Sequence, residues 1–91
     1  MTNLNQFNDN EKNLEILVEE CAEVIQMKSK IYRFGLDFKH PVTGHLTKDD
    51  FTQEVGDVLA MIDILINDNM FTMEDLNKAK HKKLKKLVDW Y

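Results

Sequence analysis

Between Val58 and Ile66 the chain carries one polar residue, Asp63, and this stretch ends a longer apolar stripe made of Phe51, Val55, Val58, Leu59, Ile62, Leu65 and Ile66. Intervals of three, four and seven residues place side chains on one face of an α-helix. A helix that turns apolar nearly all round must be surrounded by partners. A second block, from about Glu11 to Phe34, carries Leu14, Leu17, Val18, Cys21, Ala22 and Ile25 at the same period. A third block runs to about Asp89 with a thinner set, Leu76, Ala79, Leu84, Leu87 and Val88. Three Gly and one Pro leave little material for a sandwich of short strands. The expectation is an all-α fold: a helical bundle of three main helices forming a single domain over residues 1–91.

The punctuation agrees with three helices. Asp9 or Asn10 can cap the first, and Gly35 fits the residue after its end. The only Pro, Pro41, lies with Gly44, His40 and His45 in a polar loop from about Leu36 to Leu46. Thr47 followed by Asp50 resembles a capping box for a second helix starting near Lys48. Asn67-Asp68-Asn69 breaks the pattern, and Thr72 with Asp75 marks another start.

Composition removes several classes of function. The net charge of −4 does not favour nucleic acid as a partner. A single Cys cannot close a disulfide within the chain. No apolar run is long enough to span a bilayer, so no membrane partner is expected. Met1–Gln6 has neither a basic region nor an apolar core, which argues against a signal peptide and makes a cytoplasmic location the expectation.

The informative residues are acids in apolar surroundings. At about 100° per residue, Glu20 and Glu23 lie about 60° apart on the first helix. Ile16, Val24 and Met27 share that face. Glu54 and Asp57 repeat the i, i+3 spacing on the second helix, with Met61 and Ile64 beyond them. Antiparallel helices joined by a short loop can bring the two pairs face to face. Carboxylates in a partly dry site repel one another, so four together call for cations between them. Hard oxygen ligands select Mg²⁺, Mn²⁺ or Ca²⁺. Acids at this spacing also occur on ordinary solvated helices, and spacing alone leaves that reading open. A di-iron bundle would add a Glu-x-x-His motif, which these acids lack.

Glu19-Glu20-Cys21-Ala22-Glu23 followed by Glu54-Val55-Gly56-Asp57 reads as E-E-x-x-E … E-x-x-D. The pattern resembles the all-α nucleoside triphosphate pyrophosphohydrolases of the MazG-like type, in their short phage and bacterial form. The resemblance covers about Leu17 to Ile66 and includes Arg33-Phe34-Gly35. It implies Mg²⁺-dependent hydrolysis of a nucleoside triphosphate to the monophosphate and pyrophosphate, with Mn²⁺ as a substitute ion. Carried over by position, Glu20, Glu23, Glu54 and Asp57 would ligate metal, and Glu19 would be an auxiliary catalytic acid. One departure is the spacer of 30 residues, 24 to 53, which is longer than is usual in the family and accommodates the His40–His45 loop. Two alternatives stand beside this reading: a non-catalytic helical interaction module, and a pyrophosphohydrolase for another phosphorylated nucleotide.

The remaining candidates have plain structural readings as well. Lys80 and Lys83 share a face of the last helix and are candidates for the triphosphate, within a Lys-rich end that also suits a helix C-terminus. Lys30 and Arg33 close the first helix and are either dipole partners or phosphate contacts. Phe34, Phe38 and Trp90 either pack or stack on a base. Cys21, on the apolar stripe, reads as a buried thiol rather than a nucleophile. His40 and His45 lack Cys partners at zinc spacing. No Gly-rich phosphate loop with Lys is present. Three short helices cannot cover this much apolar surface, so a homodimer or homotetramer completing a four-helix core is expected.

Overall fold

A computed structural model describes residues 3–91, so the first two residues of the Met1–Gln6 stretch lie outside the described residues. A short 3-10 turn, Leu4–Gln6, leads into α1 (Asn10–Phe34), followed by α2 (Thr47–Asn67) and α3 (Met73–Val88). The fold is all-α, and the one β-type pairing among the described residues is an isolated bridge between Lys39 and Leu46 in the loop. No described helix is long and apolar enough to cross a membrane.

Local chemistry sets the helix ends. The Asp9 side chain accepts from the Lys12 backbone N–H at 3.1 Å, which caps α1. Gly35 ends α1 at φ 85°, a conformation open to Gly, and donates its N–H to Ile31. Thr72 caps α3 by accepting from the Asp75 N–H at 3.0 Å, as its sequence position predicts. The start of α2 differs from expectation. Leu46 is its N-cap residue and supplies no side-chain bond. Thr47 is buried and its hydroxyl donates to the Phe38 carbonyl at 3.4 Å. The loop folds back instead, and its carbonyls take the helix's first free N–H groups: Thr47 N–H donates to Phe38 and Lys48 N–H to Leu36. A loop that returns over the helix start does the work the capping box would have done.

α1 and α2 form an antiparallel hairpin. Their shared core holds Met27 from α1 and Met61, Ile64 and Leu65 from α2, with Leu65 fully buried. Buried Asn13 ties the open end of the hairpin. Its Nδ2 donates to the Phe7 carbonyl at 3.0 Å and to Asp68 Oδ2 at 3.1 Å. We predict that Asn13→Ala lowers stability by about 1–2 kcal/mol, because it deletes one charge-assisted bond and leaves two acceptors unpaired. The check is a urea titration, in which the midpoint should fall with the slope unchanged.

The hairpin turns an unexpected side of α1 inward. The denser apolar stripe faces outward: Leu14, Val18 and Ile25 are 41%, 67% and 74% exposed. Cys21 is also exposed, which corrects its reading as a buried thiol. The inner face is the acid-bearing strip, with Asn13, Ile16, Glu20, Val24, Met27 and Ile31 buried or half-buried. One chain supplies only one neighbouring helix, so only one of the two apolar faces of α1 is covered. α3 contributes no buried residue. The Cα radius of gyration is 16.1 Å, against about 12 Å for a close-packed chain of this length. The molecule is a two-helix hairpin with a projecting third helix.

Candidate metal centre

The hairpin register sets three carboxylates together. Glu20 on α1 and Glu54 and Asp57 on α2 each offer an oxygen, and the three oxygens lie within 4.8 Å of one another. All three residues are half-buried. Met61 and Met27 are buried one turn or two further along the same faces, so the acids interrupt the core seam rather than decorate a solvated side. The i, i+3 spacing on α2 aims Glu54 and Asp57 at the same stretch of α1.

The electrostatics follow from this crowding. The Glu20 carboxyl is pushed above its ordinary value of 4.5, first by lost hydration, then by the negative charges of Asp57, Glu54, Glu23 and Glu19. Glu20 feels the charge of four other acids, two across the hairpin and two on its own helix, and resists ionisation. Gln53, one turn before Asp57, donates its side-chain amide to Asp57 Oδ1 at 2.8 Å and fixes that carboxylate. Gln53 was not singled out by the sequence reading. Its i, i+4 relation to Asp57 is the signal that identifies it.

The expected four-acid set is thus resolved into three and one. Glu23 lies at the exposed edge and is not among the three oxygens that converge. Glu19 is exposed on the neighbouring helical position. The basic candidates are elsewhere. Among the described residues the ion pairs are Lys78–Glu74 and His45–Asp50, so none of Lys30, Arg33, Lys80 or Lys83 is paired with the acid cluster. Arg33 lies over the Phe34 ring at 5.2 Å, and Lys83 over the Trp90 ring at 4.8 Å.

Comparison with family models, with curated proteins and with solved structures finds no match. Three hard oxygens converging from two helices suit a divalent ion such as Mg²⁺ or Mn²⁺ and offer nothing to a soft one. Mg²⁺ is typically held by one to a few carboxylates, with the remaining positions taken by water and phosphate oxygens. An incomplete protein shell of three acids leaves such positions open.

The second cluster of polar residues lies at the closed end of the hairpin. A cavity of about 290 Å³ there is lined by Phe34, Phe38, Lys30, His40, Thr47 and Asp50, among others. Phe34 and Phe38 stack with centroids 4.8 Å apart. Asp50 had the look of a helix-start acid. Together with Glu54 and Asp57 it forms an i, i+4, i+7 series, which puts the cavity and the acid cluster along one face of α2.

Proposed function

We infer that the protein is a metal-dependent nucleoside triphosphate pyrophosphohydrolase acting as a homodimer or homotetramer. The observation that carries this reading is the convergence of Glu20, Glu54 and Asp57 within 4.8 Å from two helices. The E-E-x-x-E … E-x-x-D resemblance includes these three residues among the four metal ligands it implies. Water attacks the α-phosphorus, the bond from that phosphorus to the bridging oxygen breaks, and the products are a nucleoside monophosphate and pyrophosphate.

A Mg²⁺ ion, when bound, would supply neutralisation of the triphosphate's charge and a more acidic water. The chain's own residues set the geometry. Glu20, Glu54 and Asp57 would hold the ion. Gln53 keeps Asp57 from turning away. Glu19, at the exposed edge, would orient the water or hold a second ion, and Glu23 would join the ligands of such an ion. Lys80 and Lys83 lie on a helix that contributes nothing to the buried core of its own hairpin, so they would meet the triphosphate across an interface between protomers.

A panel of NTPs and dNTPs with Mg²⁺, read as pyrophosphate release, tests the reading directly. Release of pyrophosphate with the matching monophosphate is expected, and its loss on chelation with EDTA. Release of orthophosphate alone would assign a different bond cleavage. No turnover together with no metal-induced rise in melting temperature would leave a helical interaction module as the better account.

A further inference from the structure

The cavity at the closed end of the hairpin has a wall suited to stacking and a polar rim of defined sign. Phe34 and Phe38 form the wall, and Phe38 is half-buried and stacked on its partner ring. The rim is set by the loop. His40 Nδ1 accepts from the backbone N–H groups of Val42 at 3.1 Å and Thr43 at 3.3 Å. The neutral ring therefore carries its proton on Nε2, so His40 is a donor. The loop around it is closed by Gly44 N–H to His40 O and His40 N–H to His45 O, both at 2.8 Å. Lys30 is a second donor. The Thr47 hydroxyl is already committed to the Phe38 carbonyl. Asp50 is the one carboxylate on the rim. His45 engages its Oδ1 at 3.2 Å, and the remaining lone pairs are free to accept.

We propose that this cavity binds a guanine base, making the protein selective for guanine nucleotides. The assignment rests on the triphosphate reading above and adds the base to it. A carboxylate is an acceptor only, and its two oxygens match two adjacent N–H donors. Guanine alone among the common bases presents such a pair, N1–H beside the 2-amino group. Adenine and cytosine place a ring acceptor beside their amino group, which would face Asp50 with like polarity. Uracil and thymine flank a single N–H with two carbonyls. The O6 and N7 acceptors of guanine answer the two rim donors, Lys30 and His40. The aromatic wall stacks on the base face.

Position supports the same occupant. Asp50, Glu54 and Asp57 share one face of α2, and Asp50 precedes Asp57 by seven residues, about 10 Å of helix. That is the reach of a 5′-nucleotide from its α-phosphate to the far edge of its base. A base in the cavity puts the α-phosphate beside the carboxylate cluster.

The test measures binding apart from turnover, with GMP, AMP, CMP and UMP titrated calorimetrically against the intact protein in Mg²⁺. GMP should bind about 10- to 100-fold more tightly than the other three, the discrimination of one bidentate base contact. Asp50→Asn should erase the preference. Phe38→Ala should weaken all four monophosphates about tenfold while keeping their order. Equal affinities, or a GMP preference untouched by Asp50→Asn, would overturn the guanine assignment even if triphosphates are hydrolysed. A GMP preference that depends on Asp50 in a protein that turns over no triphosphate would keep the guanine site and remove the hydrolase.

Discussion

Glu20→Gln, Glu54→Gln and Asp57→Asn should each lower kcat/KM for triphosphate hydrolysis by about 10³-fold, equivalent to roughly 4 kcal/mol of transition-state stabilisation. Each substitution removes the negative charge of one of three converging carboxylates and keeps the side chain's size. Glu23→Gln should have a smaller effect, because Glu23 lies outside the converging set. The same variants behave in the opposite direction when the metal-free protein is melted. Glu20 is raised above 4.5 by lost hydration and by its acidic neighbours, so the folded state holds that proton more firmly than the unfolded one. Its effect on stability is therefore absent below the unfolded value. As pH rises through and beyond that value, the unfolded chain ionises first and stability falls until the folded group has ionised too. Glu20→Gln should flatten this decline and make the metal-free protein melt higher near neutral pH. Mg²⁺ should raise the melting temperature of the natural chain and not of the variants. Near-natural turnover in any two of the three variants would remove the metal centre, whatever the melting curves show.

The sequence disclosed the helices and most of the acid cluster, and the reasons are physical. Helical periodicity and the caps Asp9, Gly35 and Thr72 are local, so α1, α2 and α3 were legible to within a residue or two. The i, i+3 pairs were legible because each pair sits on one helix face. What periodicity does not encode is which of two apolar faces on one helix turns inward. Ranking by hydrophobicity favours Leu14, Val18 and Ile25, yet Met27 and Ile31 pack inward with Glu20 between their face and Asn13. The start of α2 was misread for a related reason. Thr47 and Asp50 look like a local box, but Phe38 and Leu36 satisfy the helix N–H groups from across the loop. Glu23 fell out of the cluster because a 60° step around α1 carries it from the seam to the rim.

Leu59→Asp and Val18→Asp should convert the protein to a monomer, raising the dissociation constant of a two-fold assembly by at least about 10³-fold. A two-fold interface buries each new carboxylate twice, and each tenfold is about 1.4 kcal/mol. Each helix of the hairpin has two apolar faces. On α1 the outward strip of Leu14, Val18, Cys21 and Ile25 lies about 130° round from the inner strip. On α2 the strip of Val55, Leu59, Ile62 and Ile66 lies about 120° round from Met61, Leu65 and their neighbours. Because α1 and α2 run antiparallel, both rotations carry the outer strips to the same side of the hairpin. Two strips roughly a third of a turn apart are what each helix of a four-helix bundle needs, since each meets two neighbours. Val18 at 67%, Ile25 at 74% and Leu59 at 56% exposure leave large apolar side chains in water on these outer strips. A second copy of the hairpin would cover them and complete four helices. Activity should fall with assembly, because no basic residue among the described residues of one chain is paired with the acid cluster to offset a triphosphate's charge. Light scattering and pyrophosphate release on the same samples read both effects. Val42→Asp, in the loop and 87% exposed, should leave assembly intact. Leu65→Asp, at 0% exposure, should unfold the chain rather than dissociate it, which separates loss of assembly from loss of fold. A natural chain that is monomeric and fully active at micromolar concentration would overturn the four-helix assembly and leave the hairpin alone as the working unit.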